Sequence, residues 1–268
     1  MIYESENWVL DNFARDPFAG VAMVDTAENI ARRFGIQRGE LDDLVLMRTA
    51  QYGAALADDH AFQRRYMDLP FAVPDPRFRK TIAALEGDQG IHPNDEAKLR
   101  ALAPVREGGT STYGGQTHPA DGNATAIVAS RHRAPDLSRD LAIEIAILGF
   151  GLARVEPAYM PMAPIPATAR ALSAAGLAIA DISAVKSHNP FAVNNIAFAH
   201  ETGFPLAKMN NFGCSLIWDH PQAPTGMRAV IELIEELAQR GGGRGLFQGC
   251  AAGDTAMAVV MEVSDERG

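Results

Sequence analysis

Three short stretches concentrate the side chains able to do acid–base or nucleophilic work, and each lies in a loop or at a strand end. They are Lys186-Ser187-His188-Asn189-Pro190-Phe191, then Asn211 through Pro221 with Cys214, Asp219 and His220, then Gly249-Cys250-Ala251-Ala252-Gly253. A thiol beside an imidazole is an acid–base pair that works near neutral pH. A second imidazole can donate a hydrogen bond to a developing oxyanion. His188 and His220 are 32 residues apart and Cys250 follows His220 by 30, neither of which is a metal-ligand spacing, so no metal site is expected. Plainer readings stand beside these. A lone His in a loop is usually a solvated or satisfied polar group, and a Cys among glycine and alanine is more often buried than reactive. Asp181 and Glu201 read as cap or surface carboxylates. Spacing alone leads to an α/β protein with enzyme-like clusters.

Those clusters must be held by regular elements. Asp25 is placed to cap a helix with Glu28 completing a capping box, and Gly35 closes it. Asp42 to Ala57 reads as a second helix. From Phe62 to Arg106 the prolines 70, 74, 76, 93 and 104 suggest loops and short helices outside any regular sheet. Gly108 to Gly122 is a polar loop leading into Ala124–Ala129, a buried-strand candidate. Leu141–Leu152 reads as strand, Ile165–Ala175 as helix, and Ile182–Val185 as a short strand before the polar Lys186–Asn189. In Thr225–Arg240, Val230, Leu233, Ile234 and Leu237 recur at helical spacing. Gly241 to Gly245 follows that helix and reads as its stop with a flexible turn, not as a phosphate cradle. Leu246–Cys250 and Met257–Val263 are two strands joined at Ala252-Gly253-Asp254. Alternation of this kind indicates a layered α/β domain.

Composition narrows the possibilities further. The 268 residues are 47% hydrophobic and carry 24 Lys and Arg against 33 Asp and Glu, a formal charge of −9, which argues against nucleic-acid binding. Two cysteines 36 positions apart are too few for a disulfide framework, and a reducing cytoplasm is the expected setting. The first six residues are acidic and do not form a secretion signal. The most apolar run, Leu141–Ala153, contains Glu144 and is too short to span a bilayer.

Taken together in their order, the three blocks resemble the thiolase family of acyl-CoA C-acyltransferases. His188-Asn189-Pro190-Phe191 is similar to the family's block of His or Asn, an acidic residue, a small residue and Phe. Asp219-His220-Pro221 followed by Thr225-Gly226 and Arg228 resembles its Gly-His-Pro segment, and Cys250-Ala251-Ala252-Gly253 its Cys-x-Gly-Gly turn. Thr26–Ala31 with Gly35-Ile36 and Arg38 looks like the start of the family's loop domain. Gly109 through Gly122 resembles the return from it. The resemblance implies a layered α-β-α-β-α fold of two similar halves, with the N-terminal half largely missing here. It divides the chain into a remnant of that half (1–24), a coenzyme A-binding loop domain (25–120), and a C-terminal domain with the last strand of the other half (121–268).

It also implies roles. His220 would activate a nucleophilic Cys and Cys250 would move a proton at the substrate α-carbon. His188, supported by Asn189, would serve the thioester oxyanion, and the turn at Ala252 and Gly253 would help form a second oxyanion hole. Thr117 and Phe191 would contact coenzyme A, which is a substrate and not a bound cofactor. The expected reaction is Claisen condensation or thiolysis on acetyl-CoA or a 3-ketoacyl-CoA. No cysteine precedes Cys214, which maps onto a glycine of the pattern, so a second chain is expected to supply the nucleophile and the assembly to be oligomeric. Two other readings remain open: a non-catalytic protein that binds acyl-CoA or a partner, and a decarboxylative condensing activity. The latter would more naturally show two histidines and no acid–base Cys. Asn189-Pro190, Asp219 and Ala252 depart from the family pattern. Asp219 is tolerable where the family has Gly if its backbone is left-handed.

Overall fold

A computed structural model describes residues 8–92 and 94–266; residues 1–7, where the acidic start was read, Pro93 and residues 267–268 lie outside them. The first helices are α1 (Trp8–Ala14), α2 (Met23–Phe34) and α3 (Arg38–His60), the last losing regular geometry from Ala57 onward. Helix α2 begins before Asp25, so Asp25 is its third residue and not its cap. The Asp25 carboxylate accepts the Ala22 N–H at 3.2 Å and pairs with Arg106 at 2.6 Å, a pairing that holds its pKa down. Glu28 does not complete a capping box. It is buried and accepts from Thr110 N at 3.0 Å and Ser111 N at 2.7 Å, clamping the polar return loop to α2. Gly35 closes the helix in the left-handed conformation, as its position predicts.

The proline-rich stretch contains one regular piece that composition hides, the antiparallel hairpin β1 (Phe71–Pro74) and β2 (Thr81–Leu85), followed by α4 (Glu96–Ala101). Ala124–Ala129 is not a buried strand: it pairs with no described strand, and Ile127 and Val128 are 75% and 77% exposed. An apolar run supplies surface to bury, but a strand also needs a ladder partner. After α5 (Ala134–Leu137) come β3 (Ile143–Arg154), α6 (Pro164–Ala175), β4 (Ala184–His188), α7 (Ala192–Thr202), α8 (Ser215–Trp218), α9 (Thr225–Gln239), β5 (Gly242–Ala251) and β6 (Thr255–Asp265). The expected polar segment after β4 belongs to it in part, since Lys186, Ser187 and His188 are all buried strand residues. The glycine run after α9 likewise enters β5 from Gly242, where pairing with Val263 and Ser264 of β6 extends the strand.

The strands form one mixed sheet in the order β3-β6-β5-β4, with β4 parallel to β5 and the other pairs antiparallel. Alternation sends Val185, Leu246, Ala258 and Val260 toward α6 and α7, and Ala184, Phe247 and Val263 toward α9. The α9 face is only half covered. Ile145, Ile147, Phe150, Leu152 and Met257 lie on its uncovered part, with Phe150 62% exposed. On the other face α6 lies close to β3: a Cβ at Gly149 would stand 2.7 Å from the Ala171 carbonyl oxygen. Helices α2 and α3 pack on α7 in a third cluster that encloses Cys214 and Cys250.

Gly151 is in the same close contact, with Ala167 and Ala171 above it. Gly151→Ala is expected to destabilise the chain by about 1–3 kcal/mol through overpacking against a helix backbone. A lower urea midpoint with an unchanged slope would register it.

Candidate active site

The parallel pairing of β4 with β5 sets His188 opposite Gly249, so the same end of the sheet carries the imidazole and, one residue further along β5, Cys250. His220 arrives from the loop after α8. Its N–H donates to the His118 carbonyl at 2.8 Å, which anchors it to the return loop. The His188 and His220 rings stack with centroids 4.2 Å apart. His188 is buried, and burial together with the neighbouring His220 holds its pKa well below the ordinary value; burial lowers that of half-buried His220 to about 4. Both rings are therefore neutral at pH 7.

Cys250 is buried, and desolvation pushes its thiol up to about 12 against the opposing Asn194 amide, whose Nδ2 lies 3.3 Å from Sγ. Cys214 is buried too, just before α8, and its pKa is raised by the same desolvation with Arg48 opposing. Its backbone is extended and leads directly into α8, and the thiol packs in the apolar cluster. Neither thiol is poised as a thiolate.

Asn189 is fully buried, donating Nδ2 to Asn195 Oδ1 at 3.0 Å, and its backbone N–H donates to Ser215 Oγ at 3.2 Å. Phe191 packs in the cluster that holds both cysteines. Thr117 is tied to the site by its backbone, donating N–H to the Pro190 carbonyl at 2.8 Å, and its hydroxyl donates to the Ser215 carbonyl at 2.5 Å. At the turn after β5, Ala252 is exposed. Gly253 is buried and its N–H donates to Asp16 Oδ2 at 2.7 Å, so that donor already has an anion. Ser215, Asn194 and Asn195 were not legible as site residues. The available signal was a pair of asparagines inside an apolar helix, where their low propensity needs a reason.

Asp219, which precedes His220, has φ 68° and ψ −169°. The φ is positive but the ψ lies far from the left-handed helical well, so the left-handed backbone that would tolerate Asp is not adopted; this region suits glycine almost alone and the local backbone is strained. Its carboxyl is pushed up by burial, with His118 and His92 opposing. These residues, with Lys98, Tyr113 and Gln116, line a cleft of about 330 Å³.

Residues 141–263 match the family described as Thiolase, C-terminal domain. The chain belongs to the thiolase family. Over 230 residues it is 31% identical to mouse peroxisomal 3-ketoacyl-CoA thiolase A, covering 85% of this chain and 53% of that one. Over 250 residues it is 31% identical to the acetyl-CoA acetyltransferase of Chromobacterium violaceum, covering 92% and 62%. The crystal structure of the Bacillus anthracis acetyl-CoA acetyltransferase superposes with a TM-score of 0.85 at 25% identity, covering 98% of this chain and 65% of that one. This thiolase-family chain thus spans between about half and two thirds of the proteins it matches, and its α/β fold is that of their C-terminal portion. Among its described residues no helix is long and apolar enough to cross a membrane.

Two outcomes follow from the site's geometry. His220 is neutral when folded down to about pH 4, whereas the unfolded imidazole takes a proton near pH 6.5. The unfolded state therefore binds more protons between these values, and stability falls as pH drops from about 6.5 toward 4. Urea titrations across that window should show the fall, and His220→Gln should make it shallower, leaving the part that the buried His188 contributes. Separately, Asp219→Gly should be more stable than Asp219→Ala by about 1–3 kcal/mol, because both lose the carboxylate and only glycine relieves the backbone; equal midpoints would refute the strain.

Proposed function

We propose that this chain is the C-terminal part of an acyl-CoA C-acyltransferase that condenses or thiolyses acetyl-CoA or a 3-ketoacyl-CoA. The observation that carries the reading is the pair of neutral imidazoles stacked at 4.2 Å, with His188 at the end of β4 one register position from Cys250 on β5. In this reading His220 accepts the proton of a nucleophilic Cys. Cys250 moves the proton at the substrate α-carbon, and His188 donates to the thioester oxygen as negative charge develops there. Asn189 supports His188, and the turn at Ala252 and Gly253 borders the second oxyanion. Residues 1–24 belong to the N-terminal half, 25–120 form the coenzyme A-binding loop domain, and 121–268 the C-terminal domain. Coenzyme A is held as substrate near Thr117 and Phe191, and the 330 Å³ cleft that supports this is lined by Gln116 and His118, on either side of Thr117.

The nucleophile comes from a second chain bearing the family's N-terminal half. Two observations favour this: both cysteines of this chain are sealed in an apolar cluster, and the sheet face beside α9 is bare around Phe150. An exposed apolar face of that kind marks an interface.

The test is intact-mass spectrometry after brief exposure to acetyl-CoA, on the chain alone and on the chain co-expressed with a Cys-bearing thiolase N-terminal half. The acyl adduct should appear on the partner and not on this chain. An adduct on Cys214 of this chain alone would overturn the assignment. In the complex, Cys250→Ser should leave acylation intact and lower condensation by about 100-fold or more.

A further inference from the structure

We propose that Ser215 and Thr225 are positioning residues that hold the two stacked imidazoles in opposite tautomers, His188 with its proton on Nε2 and His220 with its proton on Nδ1. Each ring points its Nδ1 at one hydroxyl: His188 at Ser215 Oγ, 2.9 Å away, and His220 at Thr225 Oγ1, 2.7 Å away. A hydroxyl has one proton to give and lone pairs to receive, so its direction is set by the neighbour whose role cannot change. For Thr225 that neighbour is the Pro221 carbonyl, an acceptor only, 3.0 Å away. Thr225 donates there, so His220 must donate Nδ1–H to Thr225, leaving its Nε2 with a free lone pair.

For Ser215 the fixed neighbour is a donor, the backbone N–H of Asn189 at 3.2 Å. Its own proton is then free for His188 Nδ1. The competing acceptor, Asn189 Oδ1, stands 3.4 Å away, at the edge of bonding distance, and the Asn189 amide is also within reach of the Cys214 thiol. The orientation of that amide is itself fixed. Arg48 Nε, which can only donate, holds Asn195 Oδ1 at 3.1 Å, and this oxygen accepts Asn189 Nδ2. Asn189 therefore turns its oxygen, and not its NH2, toward Ser215. With Nδ1 as acceptor, neutral His188 carries its proton on Nε2.

The result is one base and one donor from two identical side chains in contact, without either being charged. The inference rests on the functional reading only for the use made of these states, base at His220 and oxyanion donor at His188. The tautomers themselves are properties of the free chain.

The measurement is a long-range proton–nitrogen NMR correlation on the full chain labelled with ¹⁵N-histidine at pH 7.5, with His188→Gln and His220→Gln assigning the signals. His188 should show a protonated, pyrrole-type Nε2 and a pyridine-type Nδ1, and His220 the reverse. Ser215→Ala should turn the single His188 tautomer into a mixture, and Thr225→Val should do so for His220; Ser215→Thr and Thr225→Ser should restore the single states, which a purely structural role for the hydroxyls would not require. The same tautomer on both rings, or the reverse pairing, would overturn the proposal. Opposed tautomers in a complex that forms no acyl adduct would leave it standing and sink the functional reading instead.

Discussion

The buried guanidinium of Arg48 fixes the polarity of everything around the site. It is fully sequestered, and its partners are neutral oxygens: Asn195 Oδ1, Gln51 Oε1, and the carbonyls of Leu206 and Met209 at 3.1 and 2.8 Å. Burial lowers its pKa, yet an arginine stays charged and can only donate. A buried cation is tolerable only where acceptors surround it. Each of those acceptors is thereby committed, and Asn195 and its neighbours Asn189, Asn210 and Ser187 fall into one directed network. Because Arg48 sits on α3 and its acceptors other than Gln51 sit on α7 and the loop before α8, the same contacts dock α3 onto the sheet domain.

A second buried charge group braces the opposite side of that loop. Lys186, in the middle of β4, pairs with Glu232 of α9 at 3.1 Å and donates to the carbonyls of Asn211 and Gly213. Glu232 also receives Arg228, which forks onto Asp88 at 2.6 and 2.8 Å. Breaking one partner of such a group leaves an uncompensated charge in a dry interior. The chain from Leu206 to Gly213 is thus held on two sides by ionic side chains and His220 by the His118 carbonyl, so irregular backbone becomes a support for two imidazoles.

Much of this was legible in the sequence, and the limits have physical causes. The strongly periodic α9 was readable because one face of it is buried against the sheet, and the strand of 143–154 and the final strand pair because they are apolar runs bounded by turns. Ala124–Ala129 misled because its apolar character reports a wish for cover and says nothing about a ladder partner. Lys186 misled in the other direction: a charge reads as a loop residue until Glu232, 46 positions away, is known to meet it. At the site, His188, His220 and Cys250 stood out by type and order. Ser215 and Thr225 did not, since a hydroxyl gains its meaning from what it faces, and that depends on the fold.

The stacked imidazoles set a further constraint on any chemistry here. Adding a proton to one ring raises the cost of adding a second to the other, since two cations 4.2 Å apart in a largely buried pocket repel strongly. The pair therefore takes up protons one at a time, and a proton accepted by His220 must leave before His188 can be charged. A neutral His188 is then the state present whenever His220 is working as a base. An imidazole kept neutral by its neighbour can stabilise an oxyanion through Nε2–H without giving that proton away, which would quench the charge it is meant to hold. Close stacking of two like groups, a liability if both were to ionise, would in the proposed reaction keep their tasks separate.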